Sequence, residues 1–385
     1  MRVLQVITRL IIGGAQETVM LTADMLPRSR WAVDVLSGPQ TGSEGSLIEQ
    51  VRARGIPLTI EPALVREVSS LKDLLVVVRL TRFIRRGRYH VVHTNSSKAG
   101  IVGRWAAWFA CTPVIVHTVH GWGHHDSQHP VVRTLYVLLE RLTQRLTDVL
   151  IVVSPLNTEK GLADGIASAG KYMTIRSGVE LDRFLHPLRG REEMRAELGI
   201  PQEAPVVGTV ARFSPQKAPL DWIEACRIIA EAIPEAHCVY VGDGPMRPQA
   251  EAAIREAGLA DRCHLTGLRP DVPELLTTFD VFALSSLWEG LPRVLVQAMA
   301  AGLPVVATAI DGNVEAVLDG VTGRLVPPAD PPALARAAIE MLRDAELAAR
   351  MGREGRARVE EYGAERMVAQ IAQLYEDLLA RKGLR

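Results

Sequence analysis

Net charge is what this 385-residue chain lacks: 44 lysines and arginines are matched by 44 aspartates and glutamates. A balance of zero leaves no global field for nucleic acid, although local basic patches stay open. Cysteine is scarce too. Cys111, Cys226, Cys238 and Cys263 are scattered and form no CxxC pair, so they read as reduced, small core hydrophobes of a cytosolic protein. No apolar run approaches the ~18 residues of a membrane span. The opening MRVLQVITRL is interrupted by Gln5, Thr8 and Arg9, and its alternation suits a strand better than a signal peptide. The expected protein is soluble, or at most bound to a membrane surface. A paired-carboxylate metal motif such as DxD in a suitable loop is also missing.

Short β-type runs alternate with helix-patterned stretches nearly throughout. The strands expected in the first half are VLQVI, AVDVLS, PLTI, VVHT, PVIVHT and DVLIVVS. In the second half they are PVVGTVA, HCVYVGDG, CHLTG, VFALSS and PVVATAI. Runs buried on both faces and separated by amphipathic helices imply parallel sheets covered on both sides. The series is doubled, and SGVELDRFLHPLRGR, from Ser177 to Arg191, combines Gly, Pro and charge without periodicity, as a linker does. The expected class is therefore α/β, with two Rossmann-like doubly wound domains, 1–183 and 184–385, facing one another across a ligand cleft. The closing AERMVAQIAQLYEDLLAR is one more amphipathic helix.

Several turns carry chemistry at strand ends. Gly13 and Gly14 stand between a strand and a helix, where bare backbone N–H groups can approach an anion; taken alone, the pair reads better as a tight strand-to-helix turn. GTVARFSPQKAPLDWIEA places Arg212 and Lys217 beside a helix start, a setting suited to a diphosphate. Gly242 and Gly244 of YVGDGP, and Gly267 after CHLTG, fit the walls of a nucleotide pocket. In SSLWEGLPRVLVQAMAAGLPVVAT a loop carries Glu289, with Gly290 and Leu291 at the start of a helix that bears Gln297. Those amides favour negative charge.

HTVHGWGHHDSQH holds His117, His120, His124, His125 and His129, five of the ten histidines. His120/His124 and His125/His129 have the i, i+4 spacing of a helical metal site. The preceding residues are β-rich, Gly121 and Gly123 weaken a helix, and no Cys or Glu stands nearby, so most of the five read as solvated loop residues.

In their order these motifs resemble the family 4 retaining glycosyltransferases of group 1, which have the GT-B fold. The resemblance rests on Gly13-Gly14, His120, Arg212 with Lys217, VGDGP, and Glu289 with AMAAGLPVVAT, and it spans nearly the whole chain. It implies transfer of a sugar from a nucleotide-sugar, UDP-linked by preference, to an acceptor hydroxyl with retained configuration. The acceptor would be a small molecule or a lipid-linked or surface glycan, and neither metal nor cofactor is expected. Arg212 and Lys217 would neutralise the departing diphosphate, while Glu289 and His120 would hold sugar hydroxyls. The first domain would bind acceptor and the second donor, and the final helix would pack back on the first. No protein nucleophile is implied.

Two positions depart from the family pattern. Gln297 stands where a second glutamate usually contacts the ribose, and RSGVE stands where Asn-Gly-Val-Asp is more common. An amide still serves hydroxyls. LKDLLVVVRLTRFIRRGR sets Arg79, Arg82 and Arg86 on one helical face near Arg85 and Arg88, with Trp105, Trp108 and Phe109 soon after. That helix suits either an anionic membrane surface, which would make the protein cytoplasmic and peripheral, or an ordinary solvated face. The rival readings are a nucleotide-sugar epimerase and a catalytically weak sugar-nucleotide-binding subunit.

Overall fold

A computed structural model describes residues 1–384 except 41, 43, 44, 68, 69, 125–128 and 311, and at Ser70 the backbone alone. It divides into two compact units, Met1–Gly178 with Ala364–Arg385, and Val179–Gly363. The division falls a few residues before the boundary drawn from the sequence at 183/184. The last stretch of chain is counted with the first unit, not the second.

The first unit is built on seven parallel strands: β1 (Arg2–Ile7), β2 (Ala32–Ser37), β3 (Leu58–Ile60), β4 (Val91–Asn95), β5 (Val114–Val119), β6 (Val149–Val152) and β7 (Tyr172–Thr174). Their order is β3-β2-β1-β4-β5-β6-β7. The second unit has six parallel strands: β8 (Val206–Val210), β9 (His237–Val241), β10 (Cys263–Gly267), β11 (Val281–Leu284), β12 (Val305–Thr308) and β13 (Gly323–Val326). They run β10-β9-β8-β11-β12-β13. Both units are therefore Rossmann-like. The strand order reverses at β1/β4 and at β8/β11, and at such a reversal neighbouring loops part and leave room for a ligand.

The apolar runs become central strands because both their faces are covered; every residue of β5 and of β12 is buried. The edge strands β7 and β13 escape the sequence reading. YMT is partly exposed, and GRLV is broken by Gly323 and Arg324, so neither shows a buried run. The helix Ala345–Ala357 was missed as well. Three cysteines lie in the core of the second unit as expected, but Cys111 is exposed. It takes a left-handed φ of 58° just past the helix Ser97–Phe109, and its N–H donates to the carbonyl of Trp108 at 2.9 Å. Its place is set by helix termination, not by packing.

The helix Ala364–Arg381 lays Met367, Ile371, Leu374, Tyr375 and Leu378 into the same core as Val19, Trp31, Val35 and Val114 of the first unit. Each buried aliphatic of this kind contributes about 1.5–3 kcal/mol. The spacing i, i+4, i+7, i+8, i+11 makes one continuous stripe.

His93 on β4 and His117 on β5 are buried on opposite faces of the sheet, against the helices Ala364–Arg381 and Ser97–Phe109. Burial holds both imidazoles neutral: His93 is pushed down to about 3, and His117 well below its ordinary value. The unfolded chain takes up both protons as the pH falls below about 6.5, and the folded chain does not. Their contribution to stability is thus complete above that pH and is lost as the pH falls from there towards 3. Near pH 5 the two together give a slope of about 2.7 kcal/mol per pH unit. Urea unfolding across pH 7 to 5 should show a shallower slope for His117→Asn by one proton; equal slopes in variant and wild type would contradict the assignment.

Candidate active site

At the β8/β11 reversal two loops are tied together. The N–H of Leu287 donates to the carbonyl of Gln216 at 2.8 Å. Ser285 Oγ donates to the carbonyls of Lys217 and Ala218 at 2.8 and 3.1 Å. Gln216 Nε2 donates to the Trp288 carbonyl at 2.9 Å. Ala218 takes a left-handed φ of 42°, a strain these bonds hold, and Pro219 then starts the helix Pro219–Ala232. Between the loops Lys217 Nζ forms an ion pair with Glu289 Oε1, both side chains largely buried. Ser286 Oγ donates to the same carboxylate at 2.6 Å. Glu289 is thus turned onto the lysine.

Arg212 stands on the same loop. That loop is pressed against the turn after β9: the N–H groups of Ala211 and Phe213 donate to the carbonyls of Val241 and Asp243 at 2.9 and 3.1 Å. The approach requires glycine. A Cβ on Gly242, whose φ is 142°, would lie 2.0 Å from the Ala211 carbonyl oxygen, and one on Gly244 would lie 2.5 Å from that of Phe213. These two residues hold the arginine loop in place by lacking side chains. The Gly267 carbonyl, at the end of β10, accepts from the Gly242 N–H at 2.9 Å and completes the brace. Below the loop, Phe213 stacks on Tyr240 with centroids 4.0 Å apart.

Gly290 and Leu291 lead into the helix Arg293–Ala300. The Gly290 carbonyl abuts Gly312, where a Cβ would lie 1.9 Å away. Gln297 sits half-buried on the second turn of that helix.

In the first unit, Gly13 precedes the helix Gly14–Met25 in an extended conformation and caps no N–H with a side chain. A Cβ there would meet only the tip of Gln16, so the fold does not require this glycine and the first N–H groups stay approachable. Beside it, across the β1/β4 reversal, Ser96 has φ 64°. Its Oγ lies 2.7 Å from Thr8 Oγ1, which accepts the Ala99 N–H at 3.1 Å. His120 follows β5 directly, and its Nε2 meets Asn95 Oδ1 at 2.9 Å. Asn95 is fully buried; the sequence reading missed it.

The other histidines do not all follow the solvated reading. His117 is buried on a central strand, where Thr94 Oγ1 meets its Nδ1 at 2.9 Å. His124 is also buried, with Nε2 2.8 Å from Oδ2 of Asp164, forty positions further on, and so does not follow the solvated-loop expectation. His129 is exposed, and His125 lies outside the described residues. Among the described residues no three His, Cys, Asp or Glu side chains gather as a metal site.

The basic helix is partly committed to the fold. Arg79 pairs with Glu61 at 3.0 Å, and Arg85 donates to the Phe109 carbonyl at 2.5 Å, while Arg82, Arg86 and Arg88 are exposed. The same helix, Ser70–Gly87, exposes Leu71, Leu74, Leu75 and Val78. On the helix Pro130–Thr143, Val131, Leu135, Leu138 and Leu142 form an exposed apolar stripe, half or more open at the first three. Trp108 and Phe109, centroids 5.0 Å apart, are exposed as well. No described helix is long and apolar enough to cross a membrane.

Known proteins resemble this chain in sequence and fold. Residues 190–358 match the family described as glycosyl transferases group 1, and residues 13–178 match the glycosyl transferase 4-like domain. The UDP-Gal:alpha-D-GlcNAc-diphosphoundecaprenol alpha-1,3-galactosyltransferase of Escherichia coli is 32% identical over 79% of this chain and 78% of its own. The chain belongs to the family 4, group 1 glycosyltransferases. A D-inositol 3-phosphate glycosyltransferase of Corynebacterium efficiens is 27% identical over 95% of this chain and 90% of its own. Among solved structures, Anabaena HepE in complex with UDP-glucose has a TM-score of 0.83 at 23% identity, covering 99% of this chain and 100% of that one. Sucrose-phosphate synthase from Thermosynechococcus elongatus has a TM-score of 0.81 at 25% identity, with the same coverage. This glycosyltransferase is GT-B in fold.

Proposed function

We propose that this glycosyltransferase moves a sugar from UDP to a hydroxyl of a lipid-linked glycan, with retention of configuration and without a metal ion, at the cytoplasmic face of a membrane. The observation that carries the reading is the Lys217–Glu289 pair held between two tied loops at the β8/β11 reversal, on the loop that also bears Arg212. A diphosphate arriving there would draw the ammonium from the carboxylate and leave Glu289 to accept from sugar hydroxyls. Arg212, Lys217 and the helix-start amides near Gly290 would then stabilise the charge that grows as the glycosidic bond breaks, a role exerted mostly in the transition state. His120 and the Gly13-Gly14 turn serve the sugar and its neighbouring anion by orientation. The acceptor hydroxyl would attack the face the leaving oxygen departs from, its proton passing to that oxygen.

UDP is favoured by the UDP-Gal in the name of the Escherichia coli enzyme and by the UDP-glucose complex of Anabaena HepE. The lipid-linked acceptor is favoured by the diphosphoundecaprenol of the former, and by the exposed apolar stripe and the exposed arginines of the first unit.

Labelled UDP-sugars incubated with a polyprenyl-diphosphate sugar, in EDTA, should give a glycosylated lipid. A new sugar nucleotide instead would establish an epimerase, and no product with any donor would leave a binding subunit. Arg212→Ala and Lys217→Ala should each lower kcat by a factor on the order of 100 while remaining folded; near-wild-type turnover in both would remove the diphosphate assignment.

Gln297→Leu should weaken UDP binding by about 1–3 kcal/mol, because a ribose hydroxyl would lose its partner, and Gln297→Glu should keep it. Calorimetric titration giving one affinity for all three proteins would mean that Gln297 only packs. For the membrane, Leu135→Glu with Leu138→Glu should abolish co-sedimentation with vesicles of anionic phospholipid and leave UDP binding intact; undiminished sedimentation would refute the stripe as the contact.

A further inference from the structure

Behind His120 runs a chain of buried polar groups that ends on the C-terminal helix. Asn95 Oδ1 meets His120 Nε2 at 2.9 Å, and Asn95 Nδ2 donates to Gln5 Oε1 at 3.0 Å. Gln5 Nε2 donates to the Tyr375 hydroxyl at 3.1 Å and lies 3.3 Å from His93 Nδ1. The Tyr375 hydroxyl is 2.5 Å from His93 Nδ1, and His93 Nε2 is 2.6 Å from Thr118 Oγ1. Gln5, His93, Asn95 and Tyr375 are all shielded from solvent.

Such a chain has a direction. His93 is neutral, so one ring nitrogen donates and the other accepts. Gln5 Nε2, which can only donate, faces His93 Nδ1 at 3.3 Å, so Nδ1 is the accepting nitrogen and the proton lies on Nε2. Tyr375 therefore donates to His93 Nδ1, and His93 Nε2–H donates to Thr118. The phenol oxygen, having given its proton there, accepts from Gln5 Nε2. Gln5 then turns its carbonyl to Asn95, whose Nδ2 donates there, and this orientation of the amide turns the Asn95 carbonyl to His120. An acceptor facing Nε2 requires the proton on Nε2.

We propose that Asn95, Gln5 and Tyr375 are positioning residues that fix His120 as the Nε2-protonated tautomer, so that its Nδ1 acts as an acceptor toward a donated sugar hydroxyl. The last clause rests on His120 facing the donor sugar; the tautomer itself does not. A histidine free to exchange tautomers would meet that hydroxyl with the wrong partner part of the time, whereas one held through Asn95 is set before substrate arrives.

The test combines spectroscopy with kinetics. In 15N-histidine-labelled protein, with His120 assigned by loss of its signals in His120→Asn, two-bond proton–nitrogen spectra should show a protonated Nε2 and an unprotonated Nδ1. Tyr375→Phe should convert that signature to a tautomer mixture. Asn95→Asp puts a carboxylate against Nε2 and should raise the imidazolium pKa, moving the acid limb of the kcat profile up by about one to three pH units, with turnover recovering at high pH. Thermal melting establishes that each variant is folded. An Nδ1-protonated His120 in the wild type, or spectra unchanged in folded Tyr375→Phe and Asn95→Asp, would overturn the proposal. Shifted spectra with an unmoved pH profile would sustain the chain and remove His120 from the reaction.

Discussion

The candidate donor site depends on the hydrogen bonds that bind the loop after β8 to the loop after β11. Ser285 grips the carbonyls on both sides of the Ala218 Cα, and Gln216 spans to the backbone of Leu287 and Trp288. These bonds fix the turn at Ala218, which no alanine adopts without cost. They therefore decide where Lys217 points and where the helix Pro219–Ala232 begins. The pairing of Lys217 with Glu289 follows from that placement. Two charges left apart in so enclosed a place would each lose much solvation, and held together they offset part of it. A ligand that brings its own anion can replace the carboxylate, so the pair suits a site that must open its charges to a diphosphate only when one is present.

Glycine acts here through the positions of other residues. Gly242 and Gly244 let two turns touch backbone to backbone, and Gly312 does the same for the Gly290 carbonyl. Gly13 differs: little in the fold stands where its side chain would be, and the space over the helix start is left for something else. The same residue type thus carries two meanings, which distances to neighbouring atoms separate and sequence alone does not.

Much of the molecule was legible in the chain because parallel strands buried on both faces leave apolar runs, and PVIVHT, VFALSS and PVVATAI need no partner to be seen. That Arg212, Lys217 and Glu289 stand on strand-end loops ahead of helix starts was legible through spacing. Asn95 and Tyr375 were not. VVHTN reads as a strand whichever side chain does the holding, and Tyr375 lies 282 residues from the His93 it touches, inside a helix whose apolar stripe accounts for its presence. His124 was misread for the same reason, its carboxylate partner being distant in the chain. Only the fold brings such pairs together. The exposed stripe on Pro130–Thr143 was hidden differently: every amphipathic helix has an apolar face, and which face meets solvent is decided by neighbours.

That stripe and the chain behind His120 invert the usual preference, apolar groups in water and polar groups in the core. Neither helps the fold. An apolar substitute at Gln5, His93 and Asn95 could fill the same volume without the penalty that any unmet donor or acceptor would incur. A polar chain that is satisfied at every link is nonetheless stiff, since turning one amide breaks two bonds. Stiffness running from the C-terminal helix through β1 and β4 to the residue that follows β5 is of use only where the last group must present one particular nitrogen. That group is His120, at the strand ends where a Rossmann-like sheet meets its ligand.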